Sequence, residues 1–227
     1  MSLVTTPRRI GLLGGTFDPI HAGHLDVARA AQRELDLTYV HFITANVPPH
    51  RPQPVASSFH RFAMTALAVA GEKGWRASDL ELRMPTPSYT SQTLKQFHER
   101  GYLAEELYFI LGADAFKDIH VWKDYPQILE SARFVVVSRP GYPASGGVRH
   151  PQMVSDTGAV LIDAATADVS SSAIRQARAS GQSIAGMVHP SVQQHIEQHG
   201  LYSPMPPDRR TQQTGDASGA GRLHGKD

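Results

Sequence analysis

A run of apolar residues at positions 10–13 stops on two adjacent glycines, Gly14 and Gly15, and by Ala22 an alanine-rich stretch with helical periodicity has begun. Residues 10–25, IGLLGGTFDPIHAGHL, therefore read as strand, tight turn and helix. This commits the N-terminal part of the chain to a βα unit. Glycine lets backbone amides approach a ligand with no Cβ in the way. A helix that opens just beyond supplies unsatisfied N–H groups and the positive end of its dipole, a combination suited to phosphate. His21 and His24 are three residues apart and share a helix face, and His24 continues the stripe of Ala28, Ala31 and Leu35 that should pack on a sheet. Other readings stay open from these residues alone. The turn can be a plain connection, and the histidines can be surface or core residues. A His-x-x-His pair can also chelate zinc, but residues 21–25 hold no carboxylate and the chain has no cysteine.

Composition excludes several classes. The 22 basic and 21 acidic residues leave a formal charge of +1, so bulk electrostatics do not favour a nucleic-acid backbone. The absence of cysteine rules out disulfides and thiolate chemistry. The N-terminal MSLVTTPRR lacks the apolar core of a secretory signal, and no run approaches the length of a membrane span, so a cytoplasmic protein is expected. At 227 residues the length accommodates one α/β domain or two small ones.

Further strands are expected at residues 39–44, near 80–82, and at 107–111, 133–138 and 160–163, with helical patterns between them. This alternation predicts an α/β fold: a doubly wound, mostly parallel sheet in a single domain over residues 7–202. Residues 45–54, ANVPPHRPQP, form a proline-rich loop at a strand's carboxyl end, where His50 and Arg51 reach the crevice of the first motif. Ser57 or Ser58 should cap a helix over 59–70, with Phe59, Phe62, Ala63, Ala66, Leu67 and Ala70 in the core. Thr90 or Ser91 should cap another that runs to about Arg100, and residues 127–132 should end a further helix. After the strand at 107–111 comes Gly112-Ala113-Asp114, where the carboxylate can accept from ribose hydroxyls or cap a helix. Arg139 follows the strand at 133–138, and residues 141–158 read as a mobile surface loop. Residues 169–175, VSSSAIR, open a helix with three serines and an arginine one turn inside, and residues 187–202 read as a helix stopped by Gly200. From residue 203 the polar, Pro/Gly-rich composition predicts a disordered tail.

The segment GGTFDPIHAGH at 14–24 resembles the signature of the HxGH nucleotidyltransferase superfamily, and its TFDPIH form most resembles the bacterial nicotinate-nucleotide adenylyltransferases. Four later segments are similar to blocks of that family: PPHR with Arg51 for lysine, SYTSQTL, the LGAD block with Trp122, and VSSSAIR for ISSTxIR. Two positions depart from it, Thr86 where glycine is usual and His195 in place of a tyrosine near the C-terminus. The resemblance implies a Rossmann-like fold and adenylyl transfer from ATP to nicotinic acid mononucleotide. It places His21, His24 and Arg175 in the catalytic step, with His24 at the pentavalent centre. Gly14, Gly15, Thr16, Phe17, Arg51, Gly112, Ser171, Ser172 and Ile174 would contact ATP, and Asp114 its ribose. Thr90, Ser91 and Trp122 would hold the pyridine mononucleotide, with Trp122 stacked on the ring. Mg²⁺ is expected to travel with ATP, without protein metal ligands. Nicotinamide mononucleotide or phosphopantetheine as acceptor, a non-catalytic nucleotide-binding module, and homo-oligomeric assembly remain open.

Overall fold

The computed structural model describes residues 8–49, 52–85, 87–138, 153–154 and 157–203. Their elements run β1 (Ile10–Gly15), α1 (Ala22–Glu34), β2 (Tyr39–Thr44), α2 (Ser58–Val69), β3 (Trp75–Ser78), α3 (Thr90–Glu99), β4 (Leu107–Gly112), α4 (Ala113–Lys117), β5 (Arg133–Ser138), β6 (Met153–Val154), β7 (Ala159–Asp163), α5 (Ser171–Ala179) and α6 (Pro190–Gln198). One sheet holds all the strands in the order β3-β2-β1-β4-β5-β7-β6, and only β6 runs antiparallel to its neighbour. Ile10 pairs with both Tyr39 of β2 and Leu107 of β4, so the chain winds outwards in both directions from β1. The carboxyl end of β1 is thus the point where the winding reverses, the place where open α/β sheets bind ligands.

Strand periodicity distributes the core between two faces. Leu13, Ile110, Val135 and Val137 belong to the cluster that includes residues of α1, α5 and α6, while Ile10, Leu12, Phe109, Leu111, Phe134 and Val136 join Leu94 and Phe97 of α3. Burial on both faces explains the continuous apolar runs that marked these strands in the sequence.

Several expectations need correction. The third strand is Trp75–Ser78, and Leu80–Arg83 is a 3₁₀ turn. The alternation Trp-Arg-Ala-Ser pairs in register with Val40 to Ile43, which left the more apolar residues 80–82 outside the ladder. Helix α2 is rotated from the predicted phase: Phe59 is 78% exposed and Leu67 is exposed, whereas Arg61, Met64, Thr65, Ala68 and Val69 are buried. The rotation follows from Arg61, which goes inside because main-chain carbonyls satisfy its guanidinium. Ser57 caps this helix through its side chain, accepting from His60 N. Tyr89, not Thr90 or Ser91, occupies the cap position of α3. Residues 127–130 form only a 3₁₀ turn, and β6 lies inside the expected surface loop. The last helix is shorter than its pattern, because Pro190 sets its start and Gly200, at φ +59°, follows its end. Most of the 141–158 loop and the expected tail from residue 204 lie outside the described residues.

Candidate functional site

The turn after β1 is built by close approach. A Cβ on Gly15 would stand 2.6 Å from the Phe17 ring, and Phe17 itself takes the left-handed conformation at φ +49°. The Phe17 ring meets His24 edge-on at 5.1 Å between centroids. From behind, Arg61 braces the turn. Its Nη1 donates to Thr16 O and Ala45 O at 2.6 Å each, Nη2 to Asn46 O at 2.8 Å and Nε to Ala56 O at 3.2 Å. Burial lowers the Arg61 pKa from its ordinary value, and this cage of carbonyls offsets the desolvation. Asp18 is a second hub: its carboxylate accepts from Val55 N at 2.8 Å, Ala56 N at 3.1 Å and Tyr202 Oη at 2.7 Å.

Helix α1 starts with the two histidines face to face, ring centroids 3.7 Å apart. His21 N donates to His24 Nδ1 at 3.3 Å. With Nδ1 accepting, the His24 proton is assigned to Nε2, which makes that nitrogen a donor. Between them Gly23 sits in a tight space, where a Cβ would meet Ala167 O at 3.1 Å and His21 Nδ1 at 3.2 Å. The start of α5 is tied to the same turn. Ser171 Oγ donates to Pro19 O at 2.9 Å, Arg175 Nη1 to Asp18 O at 2.8 Å, and Arg175 Nη2 to Ser172 Oγ at 3.2 Å. Ser170 caps α5 by accepting from Ala173 N at 3.2 Å. Two segments some 150 residues apart are thereby joined by side-chain to main-chain bonds.

These parts border one cavity of about 870 Å³. Of the residues expected from sequence, Gly14, Gly15, Thr16, Phe17, His21, His24, Gly112, Ser171 and Ser172 line it, as do Thr90 and Trp122. Ser91, Ile174 and Arg175 do not. Ile174 is wholly buried and spends its amide on Ser170 O, and Arg175 grips the turn from the side. Arg51, with His50, Thr86 and Arg139, lies outside the described residues, and so does the side chain of Asp114. The cavity also exposes groups that sequence reasoning missed. Glu81 lies on its wall with its pKa raised by burial, accepting from Thr93 Oγ1 at 2.6 Å. Lys123 sits over the Tyr89 ring at 4.6 Å, and Trp122 stands edge-on to Phe109 at 6.0 Å. Ser88 receives Asn46 N at 3.0 Å and so fastens the loop after β2 to the segment before α3. Adjacency to Trp122 was the one sequence signal for Lys123; nothing marked Arg61 as an inside residue.

Comparison with known proteins places this architecture. The cytidylyltransferase-like family matches residues 12–177. A probable nicotinate-nucleotide adenylyltransferase of Thermus thermophilus is 43% identical over 196 residues, 86% of this chain and 99% of the relative. The chain belongs to the nicotinate-nucleotide adenylyltransferase family. Another member, from Cronobacter sakazakii, is 39% identical over 206 residues, covering 84% of this chain and 94% of its own length. Among solved structures, a Plasmodium falciparum nicotinic acid mononucleotide adenylyltransferase complexed with APC superposes with a TM-score of 0.66 at 19% identity, over 86% of this chain and 97% of that one. The same protein complexed with NaAD gives the same score. The fold is therefore the Rossmann-like one of these nucleotidyltransferases, and as a member of the nicotinate-nucleotide adenylyltransferase family the chain is an enzyme. Such nucleotidyltransferases generally use a divalent metal with ATP. The described cavity wall suits a cation carried by the nucleotide. Its two carboxylates, Glu81 and Asp118, are not on the glycine turn or the α5 start, and Glu81 is hydrogen-bonded to Thr93. No helix among the described residues is long and apolar enough to cross a membrane.

Proposed function

We propose that this chain transfers the adenylyl group of ATP to nicotinic acid mononucleotide, giving nicotinic acid adenine dinucleotide and pyrophosphate. An oxygen of the acceptor's phosphate bonds to the α-phosphorus of ATP as the bond to the α–β bridging oxygen breaks, and its electron pair leaves with pyrophosphate. The nucleophile is already an anion, so no general base is required. The work left to the protein is to align the two phosphates and stabilise charge on the leaving group.

The observation that carries this reading is the convergence of the glycine turn, the His21–His24 pair and the α5 serines on one cavity that also contains Thr90 and Trp122. Gly14, Gly15, Thr16 and the hydroxyls of Ser171 and Ser172 take the β- and γ-phosphates. His24, donating through Nε2, takes the oxygens around the α-phosphorus, with His21 stacked behind it. Arg175 acts as a positioning residue that holds the turn and Ser172 in place. At the other end Trp122 offers its face to the pyridine ring, and Tyr89 and Thr90 open α3 beside it. Mg²⁺ accompanies ATP, bound by phosphate oxygens and water, and the reaction takes place in the cytoplasm.

Pyrophosphate release from ATP and Mg²⁺ tests this, with nicotinic acid mononucleotide, nicotinamide mononucleotide or phosphopantetheine offered separately. Release with the first by a wide margin is expected. Preference for another acceptor overturns the roles of Thr90 and Trp122, and no release with any of the three overturns the proposed reaction.

A further inference from the structure

Away from the nucleotide cavity, α2 and α6 pack against each other and gather three imidazoles. His60 comes from α2, His195 from α6 and His199 from the cap position that ends α6. One ring nitrogen from each lies within 4.8 Å of the others, and His60 Nδ1 is 3.1 Å from His195 Nε2. The ring centroids are 5.3, 4.9 and 4.4 Å apart. None of the three lines the nucleotide cavity.

Partial burial and the two neighbouring imidazoles push the His195 pKa down, which keeps a lone pair available for coordination. A single hydrogen bond between His60 and His195 uses one nitrogen of each ring. It does not account for the third ring. The i, i+4 spacing of His195 and His199 sets two imidazoles on one helix face, and His60 approaches from the neighbouring helix. A tetrahedral zinc ion with Zn–N bonds of about 2.0–2.1 Å separates its ligand nitrogens by roughly 3.3–3.4 Å. The 3.1 Å between His60 Nδ1 and His195 Nε2 lies near that value, the set falls within 4.8 Å, and the partly exposed rings can adjust. An all-imidazole set without carboxylate favours borderline late transition metals over Mg²⁺ or Ca²⁺.

We propose that His60, His195 and His199 form a surface site for a late transition-metal dication, Zn²⁺ foremost, that staples α6 to α2. Water completes the coordination. The site is separate from the nucleotide chemistry but is anchored in the same frame. Arg61, next to His60, cages the turn carbonyls, and the chain leaving His199 reaches Tyr202, whose hydroxyl donates to Asp18. Neither this site nor its test depends on the acceptor of the adenylyl group.

The test is titration of the full-length, chelator-stripped chain with Zn²⁺ alone, followed by calorimetry and thermal melting. One equivalent is expected to bind with a dissociation constant near or below about 1 μM and, at a hundredfold excess over that constant, to raise Tm by about 5 °C. The chain has 12 histidines, so variants must locate the binding. His199→Gln changes an exposed residue and should melt like the parent without metal. His195→Tyr installs the residue of the pattern this chain resembles. Each should weaken Zn²⁺ at least about tenfold and remove the Tm shift. Absence of stoichiometric Zn²⁺ binding by the parent, or equal binding by parent and His199→Gln, would overturn the proposal.

Discussion

Acid should loosen this fold through His41. The residue lies on β2, half-buried, with its ring edge-on to Phe97 of α3 at 5.6 Å. Burial, reinforced by the charges of Arg76 and Arg100, lowers its pKa from 6.5 to about 4. The sign follows from proton counting. Between those values the unfolded chain holds a proton that the folded chain does not, so stability is intact above 6.5 and falls as the pH drops towards 4. At pH 5 the two titrations differ by about thirtyfold in binding polynomial, which destabilises the fold by about 2 kcal/mol relative to pH 7. The loss reaches about 3 kcal/mol below pH 4. The assay is urea unfolding of the parent and His41→Gln at pH 7 and pH 5. The other histidines titrate in both chains and cancel in the comparison. The parent should lose about 2 kcal/mol more than the variant on acidification. Parallel losses would refute the reasoning, because the depressed pKa would then not be a property of the folded state.

Three further outcomes are expected. His24→Ala should lower kcat by about a hundredfold or more with an unchanged circular dichroism spectrum, since it removes the donor proposed for the developing charge; parental turnover would take His24 out of the reaction. Gly23→Ala should cut kcat at least about tenfold, because its Cβ must displace either Ala167 O or the His21 ring; steady-state kinetics with unaltered kcat would show that the pair tolerates the shift. Tyr202→Phe removes a 2.7 Å hydrogen bond to the Asp18 carboxylate and should cost about 1.5–3 kcal/mol in urea unfolding, and a change below 0.5 kcal/mol would mean that this bond contributes nothing net.

What the sequence made legible follows from the range of the interactions involved. Strands buried on both faces announce themselves as apolar runs, and β5 was located to the residue because Phe134, Val135, Val136 and Val137 are all buried. The glycine turn and the histidine pair were equally visible, since their geometry is set within ten residues. The segment before α3 was harder: a short polar strand and a more apolar 3₁₀ turn follow one another there, and local hydrophobicity selects the wrong one. Helix α2 misled for the opposite reason. Its apolar stripe is broken by an arginine that belongs inside, and only the carbonyls of Thr16, Ala45, Asn46 and Ala56 reveal why.

Those carbonyls also explain how a site assembled from distant segments keeps its shape. Charge buried behind the glycine turn needs hydrogen-bond partners, and Arg61 and Asp18 find them in main-chain groups that follow β1 and β2 and, for Asp18, in the Tyr202 hydroxyl. Moving either loop would orphan a buried charge, so the loops resist displacement more strongly than apolar contacts alone would require. Tyr202 and Arg175 extend the same network to the end of the described chain and to α5. The residues proposed to face the phosphates can therefore be small and neutral. Rigidity is supplied from behind the turn, while Gly14, Gly15, Ser171, Ser172 and the two imidazoles line the cavity at the front.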